Sequence, residues 1–296
     1  MWLQVLGSAA GGGFPQWNCG CPGCRAVRLG SRSTPRTQSS VAVSIDRRRW
    51  FLLNASPDIR GQIEAFPPLH PEDGRITPLE AVLLTDAELD HTLGLLLLRE
   101  SPALQVHATP AVYDILRSGT AVLATLERYC RVDWHPVVPG ADVPLANGLS
   151  YRAFDVPTTK RGRFGAGTER GQVVGYRLHD EHNGHTAIYL PGMQRLTAEV
   201  REQLNDCACL LVDGTCWDDD ELILLGVATK TATEMGHMPV GGPNGSLEKI
   251  SGLPIERKIY IHINNTNPIL LEDSPQRRTA TEHGVEVAVD GLAIKV

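Results

Sequence analysis

The residues that most directly suggest chemistry form a short run at 85–91, with the sequence Thr-Asp-Ala-Glu-Leu-Asp-His. Asp86, Glu88, Asp90 and His91 follow directly after the apolar stretch 79–84 and precede the apolar, helix-like stretch 92–98. Packing does not explain such a concentration of ionisable groups at a strand-to-helix turn, because unpaired charges are costly to bury. Carboxylates and imidazoles are ligands that divalent metals take from proteins. The run therefore predicts a metal site.

Two more candidate ligands lie at or near the ends of apolar, strand-like segments. Asp213 comes directly after the strand predicted at 209–212, and His262 lies in the strand predicted at 258–263, where Ile259, Ile261 and Ile263 share the opposite face. Alone, Asp213 is typical of a turn and His262 of a buried core histidine. Because the ends of several strands meet at one edge of a sheet, Asp213 and His262 together with Asp90 and His91 predict one shared site.

A second candidate metal site is the cysteine loop at 19–24, which carries Cys19, Cys21 and Cys24 with glycine and proline between them. Three thiolates within six residues match the spacing of a zinc knuckle, and the intervening residues permit a tight turn. Free thiols and a redox Cys-x-x-Cys pair are the alternatives, and the third cysteine disfavours the redox pair. We predict structural zinc. The sequence does not name the fourth ligand, for which a polar group in 264–267 or a water is a candidate.

Three other segments carry residues with a candidate role. The glycine-rich stretch 7–13 is followed by Phe14-Pro15 and lacks a Gly-Lys-Ser/Thr sequence, so we interpret it as a close backbone approach rather than a nucleotide-binding loop. His237 lies between Gly and Pro in a predicted loop, where the alternative is plain solvent exposure. Lys160, Arg161 and Arg163 form a small basic loop that we interpret as solvated, with pairing to substrate carboxylates as the alternative.

The composition is that of an ordinary globular protein. The chain has 296 residues, of which 42% are hydrophobic and 21% charged, and its net charge of −6 argues against nucleic-acid binding. No apolar run approaches the roughly 18 residues that a membrane span needs. The first basic residue is Arg25, so we expect no secretory signal, a cytoplasmic location and reduced cysteines.

The order of predicted elements favours one α/β domain spanning 1–296, with sheets covered by helices. Strands are expected at 2–6 and 79–84, and a helix at 59–66. Two hairpins are expected from apolar segments joined by turn residues, at 40–45 with 50–53 and at 173–178 with 186–190.

The run at 85–91, the segment Val-Asp-Gly-Thr at 212–215 and Ile-His-Ile-Asn at 261–264 together resemble the metallo-β-lactamase superfamily. The resemblance implies a four-layer αββα sandwich. It also implies that one of the superfamily's two metal sites is kept, as Asp90, His91, Asp213 and His262. The other site has lost its ligands, because Asp86 and Glu88 stand where the motif His-x-His-x-Asp-His has its first two histidines. The loop 155–159 also offers threonines where a third histidine is expected.

This loss changes the expected chemistry. A two-zinc hydrolase uses both metals to hold hydroxide and to polarise its substrate, so losing one site weakens hydrolysis. Two histidines with one or two carboxylates suit Fe(II) in a non-haem oxygenase, although zinc or manganese would also be accepted.

A narrower resemblance covers most of the chain. The segments 7–24, 54–60, 210–215, 234–239 and 262–270 resemble a family of pyrroloquinoline quinone (PQQ) biosynthesis proteins. The resemblance implies an enzyme that adds oxygen to the tyrosine ring of a Glu-Tyr precursor derived from a small peptide. Together with the ligand set, it predicts an Fe(II) enzyme with O2 as co-substrate. It also carries an alternative, a non-catalytic protein that helps to transport PQQ or its precursor to the periplasm. Contacts with other proteins of the pathway and a homodimer are further expectations.

Three residues near the candidate ligands have expected roles, and that of His237 follows from the superfamily resemblance. His237 is expected to act as an acid–base residue, to anchor the substrate, or to be an extra metal ligand. Asp86 and Glu88 are expected to orient the substrate or to move protons. No nicotinamide or flavin motif is present, so electrons would come from the substrate, a catechol intermediate or an external reductant. A metal-dependent hydrolase remains the second alternative.

Overall fold

The computed structural model describes residues 1–30, 33–160, 162–164 and 170–296. In this part of the chain the strands are β1 (Trp2–Gly7), β2 (Ser40–Ser44), β3 (Trp50–Leu53), β4 (Leu79–Leu83), β5 (Ala103–Ala108), β6 (Arg131–Pro136), β7 (Asp142–Pro144), β8 (Leu149–Asp155), β9 (Val174–Asp180), β10 (Thr186–Leu190), β11 (Cys209–Asp213), β12 (Arg257–Ile261), β13 (Val285–Val287) and β14 (Ala293–Lys295).

The helices that connect these strands are short. They are α1 (Pro22–Arg28), α2 (Ile59–Glu64), α3 (Leu89–Thr92), α4 (Gly94–Leu97), α5 (Pro110–Asp114), α6 (Val122–Leu126), α7 (Ala198–Gln203), α8 (Glu221–Leu224), α9 (Ala232–Met235), α10 (Ser246–Ser251) and α11 (Pro275–Glu282), with 3-10 turns at Pro67–Leu69 and Pro268–Leu270 and a π-helical turn at Ile115–Gly119. Among the described residues, no helix has the length and apolar character needed to cross a membrane.

The described strands form two seven-stranded sheets, in the orders β14-β1-β2-β3-β4-β5-β6 and β13-β12-β11-β10-β9-β8-β7. The two sheets face each other across a shared apolar core, to which the first contributes Val43 and Leu53 and the second Tyr176 and Leu211. Their outer faces pack against helices, with Leu95 of α4 on one side and Ile250 of α10 on the other. This arrangement confirms the predicted four-layer αββα sandwich.

Both predicted hairpins are confirmed. β2 pairs antiparallel with β3, and β9 pairs antiparallel with β10. The helix expected at 59–66 ends earlier, at Glu64. The helix expected at 92–98 is wrong in its bounds, because α3 already begins at Leu89 and α4 follows it. Asp90 and His91 therefore lie in a helical turn. Gly94 lets this segment approach the preceding loop, since a Cβ there would lie 2.2 Å from the Ser56 carbonyl oxygen.

The strand expected at 258–263 is also corrected. β12 ends at Ile261, and His262 has a backbone φ of 56°, in the left-handed region that non-glycine residues rarely adopt. This turn interrupts the alternation of side chains. Ile259 and Ile261 belong to the core between the sheets, whereas Ile263 belongs to the outer core, on the other side of its sheet.

Candidate metal centre

The carboxyl ends of strands from both sheets bring the predicted donors together. Asp90 and His91 lie in α3, which follows β4, and Asp213 is the last residue of β11. β12 runs parallel to β11 with Ile261 opposite Asp213, and His262 comes next. β4 belongs to the first sheet and β11 and β12 to the second, so the donors lie between strand ends of the two sheets, where Asp90 contacts His262.

Asp90, His91 and His262 form a compact group of possible metal ligands, with the donor atoms all within 4.8 Å of one another. The Asp90 carboxylate is shared between the two imidazoles. Its Oδ2 lies 3.1 Å from Nε2 of His262 and 3.9 Å from Nε2 of His91. Two imidazoles and one carboxylate are the donor set of non-haem Fe(II) sites, and zinc accepts the same donors.

His91 is oriented for ligation by its other ring nitrogen. Nδ1 of His91 lies 2.8 Å from both carboxylate oxygens of Asp86. Its Nε2 is buried and has no hydrogen-bond partner. A metal-binding histidine typically has one ring nitrogen held by a carboxylate, as Nδ1 is here, and leaves the other free for the metal, as Nε2 is here.

The electrostatics of His91 also favour a cation. Burial by itself lowers the pKa of this imidazole, but the charges of Asp86 and Asp90 outweigh burial and raise it to about 9. Burial raises the pKa of the Asp90 carboxyl, yet His91 and His262 bring it well below its usual range. The carboxylates that hold a proton on His91 would also attract a metal ion, which would displace that proton from Nε2.

Asp86 is itself fixed by its neighbours. Thr85 Oγ1 donates to its Oδ2 over 2.7 Å, and the backbone N–H of Glu88 donates to its Oδ1 over 3.0 Å. Burial raises the pKa of Asp86, but His91 and these hydrogen bonds lower it to about 2. Asp86 occupies the position of a histidine ligand in the superfamily motif. Here its carboxylate contacts the ring of His91.

Asp213 has a different set of contacts. Its Oδ2 accepts hydrogen bonds from the Met193 backbone N–H over 2.8 Å and lies 2.7 Å from Nδ1 of His237. Its Oδ1 accepts from the backbone N–H and the hydroxyl of Thr215. The structure groups Asp213 with His237 and His262 as possible ligands, rather than with His91.

His237 lies beside the group formed by Asp90, His91 and His262. This position is needed for the acid–base or substrate-anchoring role expected of it. Its ring stacks on that of His262 with the centroids 5.2 Å apart, and its side chain is 16% exposed. Thr215, which the sequence analysis did not single out, connects the two histidines. Its hydroxyl lies 3.0 Å from Nδ1 of His237 and 2.9 Å from Nδ1 of His262. The only signal for Thr215 in the sequence is its place two residues after Asp213.

The glycine-rich segment predicted to make a close approach lies against this group. The Ala10 backbone N–H donates to the Ile263 carbonyl over 2.9 Å. A Cβ placed on Gly11 would lie 3.3 Å from Cγ of Asp90. Any larger residue at 11 would therefore crowd the shared carboxylate.

Glu88 contacts the basic loop that was expected to be solvated. Nζ of Lys160 lies 2.7 Å from Oε1 of Glu88, and Nε of Arg163 lies 3.7 Å from Oε2. The Lys160 side chain is 25% exposed and that of Arg163 is 72% exposed. Arg163 is exposed as expected, whereas Lys160 is half-buried and paired with Glu88. Arg161 lies outside the described residues.

The three cysteines of the loop 19–24 are buried, with sulfurs within 4.8 Å of one another. The side-chain amide of Asn265 lies against them, with Nδ2 at 3.1 Å from Cys19, 3.6 Å from Cys21 and 3.3 Å from Cys24. A half-turn of the amide would place its oxygen there instead. Three sulfurs and one further donor fit tetrahedral zinc. Asn265 is thus the residue of the segment 264–267 whose side chain reaches the sulfurs.

Comparison with known proteins agrees with this architecture. A family model described as the beta-lactamase superfamily domain matches residues 49–263. Coenzyme PQQ synthesis protein B from Methylococcus capsulatus is 47% identical over 304 residues, which cover 99% of each chain. The protein of the same name from Pseudomonas savastanoi pv. phaseolicola is 44% identical and covers 100% of both.

Solved structures give the same result. The crystal structure of Zn2+-bound PqqB from Methylobacterium extorquens is 40% identical, covers 100% of both chains and superposes with a TM-score of 0.93. A diphosphatase from the PhnP family is 21% identical, with a TM-score of 0.70 over 100% of this chain and 97% of the other, which shows a shared fold alone.

Proposed function

The chain belongs to the coenzyme PQQ synthesis protein B family of the beta-lactamase superfamily, and from this premise we propose a specific step in PQQ biosynthesis. The proposed activity is hydroxylation of the tyrosine ring in a Glu-Tyr precursor, with O2 as co-substrate and Fe(II) at the active site. We also propose that the protein acts in the cytoplasm and that the cysteine loop holds structural zinc.

The observation that carries this proposal is the buried, unpaired Nε2 of His91 beside the Asp90 carboxylate that His262 shares. These three residues would hold the iron. When bound there, Fe(II) supplies the activation of O2, for which a site with only three protein ligands keeps positions open. Zinc, which the relative from Methylobacterium extorquens binds, would fit the same donors without supplying redox chemistry.

The residues around the ligands fix their orientation. Asp86 holds Nδ1 of His91, so with a metal bound the ring would keep its proton on Nδ1 and Nε2 would be the ligand atom. The hydroxyl of Thr215 lies 2.9 Å from Nδ1 of His262 and orients that ring in the same way. Burial lowers the pKa of His262, which keeps the ring in the neutral form that binds metal.

His237 is the residue proposed to move a proton. Nδ1 of His237 lies 2.7 Å from the buried carboxylate of Asp213, which favours a proton on Nδ1 and leaves Nε2 as the base. Hydroxylation replaces a ring hydrogen, and Nε2 would take the proton that the ring loses when aromaticity is restored. Asp213 would stabilise the charge that His237 then carries.

The proposal is tested by anaerobic reconstitution of apo-protein with Fe(II) or Zn(II), followed by Glu-Tyr, ascorbate and isotopically labelled O2. Ascorbate supplies the two electrons that accompany transfer of one oxygen atom to the ring and one to water. The expected result is labelled product with Fe(II) and none with Zn(II). No gain of oxygen with Fe(II) would reject the hydroxylase.

The same experiment separates the alternatives. Turnover without oxygen would indicate a metal-dependent hydrolase, and binding of PQQ or its precursor without any product would indicate a carrier. Replacing Glu-Tyr with the intact precursor peptide would show which of the two is the substrate.

A further inference from the structure

We propose that Lys160 binds a carboxylate of the substrate at the mouth of the metal centre. The inference rests on the proposed function, because it concerns how a Glu-Tyr-type substrate is held. Such a molecule carries a carboxylate on the glutamate side chain and another at its C-terminus, and either one is chemically suited to an ammonium group.

The position of Lys160 carries this inference. On one side its Nζ lies 2.7 Å from Glu88, whose own backbone N–H donates to Asp86, the partner of His91. On the other side its Cδ lies 3.0 Å from where a Cβ on Gly236 would be, next to His237. Lys160 therefore lies between Glu88, in the motif that carries His91, and Gly236, in the loop that carries His237.

The segment before Lys160 is held firmly in place. Gln194, which is buried, accepts from the Thr159 backbone N–H over 2.6 Å and donates to the Thr233 carbonyl over 2.7 Å. The residue next to Gln194 is Met193, whose backbone N–H donates to Asp213. The loop that presents Lys160 is thus fixed to the same framework as the candidate metal centre, as substrate positioning requires.

The substrate carboxylate needs a cationic partner near the candidate metal centre. Among the described residues, Lys160 and Arg163 are the cations in contact with Glu88, and Lys160 is the less exposed.

The contact between Lys160 and Glu88 can exchange for a substrate. An ion pair whose two side chains are 25% and 36% exposed contributes little to stability, so replacing it costs little. An ammonium group has three N–H donors and can contact a second carboxylate without leaving the first. Glu88 thus holds Lys160 in position until the substrate arrives.

The test measures binding calorimetrically with Zn(II)-loaded protein under anaerobic conditions, so that no turnover occurs. The ligands are Glu-Tyr, Gln-Tyr, Glu-Tyr-amide and the neutral analogue N-acetyltyrosinamide. K160M should weaken Glu-Tyr binding on the order of 10- to 100-fold, the range of one charge-assisted contact, and leave the neutral analogue unchanged. The ligand that loses its sensitivity to K160M, Gln-Tyr or Glu-Tyr-amide, identifies the carboxylate that Lys160 binds.

Two further variants make the result specific. R163Q removes the same charge from a neighbouring, more exposed position, and should change Glu-Tyr affinity by less than about 2-fold because exposed charges are screened. K160R keeps the charge and should recover most of the affinity. Thermal unfolding and zinc content of each variant show whether the fold is kept.

The proposal is overturned if wild-type protein does not bind Glu-Tyr, if K160M weakens the neutral analogue equally, or if R163Q has the same effect. The binding result is independent of oxygen chemistry. A carboxylate-specific loss in K160M without any hydroxylation by the Fe(II) form would keep Lys160 as a binding residue and reject the proposed activity.

Discussion

The two candidate metal sites of this molecule are built in opposite ways. The cysteine site takes its three sulfurs from six consecutive residues, 19–24, and adds Asn265. The carboxylate–imidazole site takes Asp90 and His91 from one sheet and His262 from the other, 172 positions from Asp90. Yet the two sites share one short segment, because His262 and Asn265 are three residues apart.

The difference shows how each site is suited to its role. The cysteine cluster is closed, since its three sulfurs are buried and the Asn265 amide covers them. The other site keeps an unsatisfied nitrogen on His91, and Lys160 and Glu88 at its edge are partly exposed. A closed set of four donors is typical of structural metal, and a site with open positions is typical of catalysis. Five substitutions test this contrast, in order of decreasing expected effect.

The largest expected effect is that of His91→Ala on activity. Removing a donor from a three-donor site should reduce oxygen incorporation to background, while the cysteine-bound metal stays. Metal analysis and product mass on the Fe(II)-loaded variant check this, with the exposed His185→Ala as the control. Activity within several-fold of wild type would show that His91 is no ligand.

Cys24→Ser should lower the free energy of unfolding more than it lowers activity. Its sulfur is fully buried in the cysteine cluster, and loss of a structural metal removes binding energy that contributes to folding, on the order of several kcal/mol. Chemical denaturation with zinc analysis is the measurement. Cys130→Ser is the matched control, because Cys130 belongs to no metal group among the described residues. Equal stability of the two variants would argue against structural zinc.

Asp86→Asn tests the support of His91 without removing a donor. The amide keeps the shape of the carboxylate and loses the charge that fixes the ring, so metal affinity at the active site should fall about 10- to 100-fold. A competitive metal titration measures the change, with the half-buried Asp133→Asn as the control. If the affinities of the two variants agree, Asp86 has no role in positioning His91.

Asn265→Ala tests whether the amide completes the cysteine site. Zinc release to a chelator should become faster by roughly 10-fold, whereas Asn265→His should release zinc more slowly, since imidazole is a stronger zinc ligand. Asn264→Ala, a change in the same segment, should have little effect. Identical release rates for wild type and Asn265→Ala would leave a water as the fourth donor.

Glu221 contacts Thr266, which directly follows the segment 262–265 shared by the two sites, and it should make the stability of the protein depend on pH. Its carboxyl lies 2.5 Å from the Thr266 hydroxyl, and burial raises its pKa from 4.5 to about 7 despite that hydrogen bond. Between these values the folded state holds more protons than the unfolded state, so the free energy of unfolding falls as pH rises. The contribution is fully present below pH 4.5 and is lost by about pH 7, with a slope of about 1.4 kcal/mol per pH unit.

Glu221→Gln should remove this slope. The measurement is chemical denaturation of wild type and variant at several pH values across the window. Two parallel curves would show that Glu221 does not titrate there.

Local patterns in the sequence determined a large part of the fold and of the candidate site. Alternating and continuous apolar runs predicted the hairpins, and the resemblance predicted the αββα layers. Residue type and spacing predicted the cysteine cluster, because its donors are neighbours in the chain. Residue type at the ends of predicted strands indicated Asp90, His91 and His262, but the expectation that they share one sheet edge was wrong, because β4 and β12 lie in different sheets.

The tertiary structure decided the contacts that depend on several elements at once. The left-handed backbone of His262 ended its strand early and sent Ile263 into a different core. Asp86 proved to face His91, Asp213 to hold His237, and Lys160 to pair with Glu88 across 72 positions. A sequence records which donors are available. Which atoms they face depends on the angle at which each chain segment enters the site, and that angle is set by packing between the sheets.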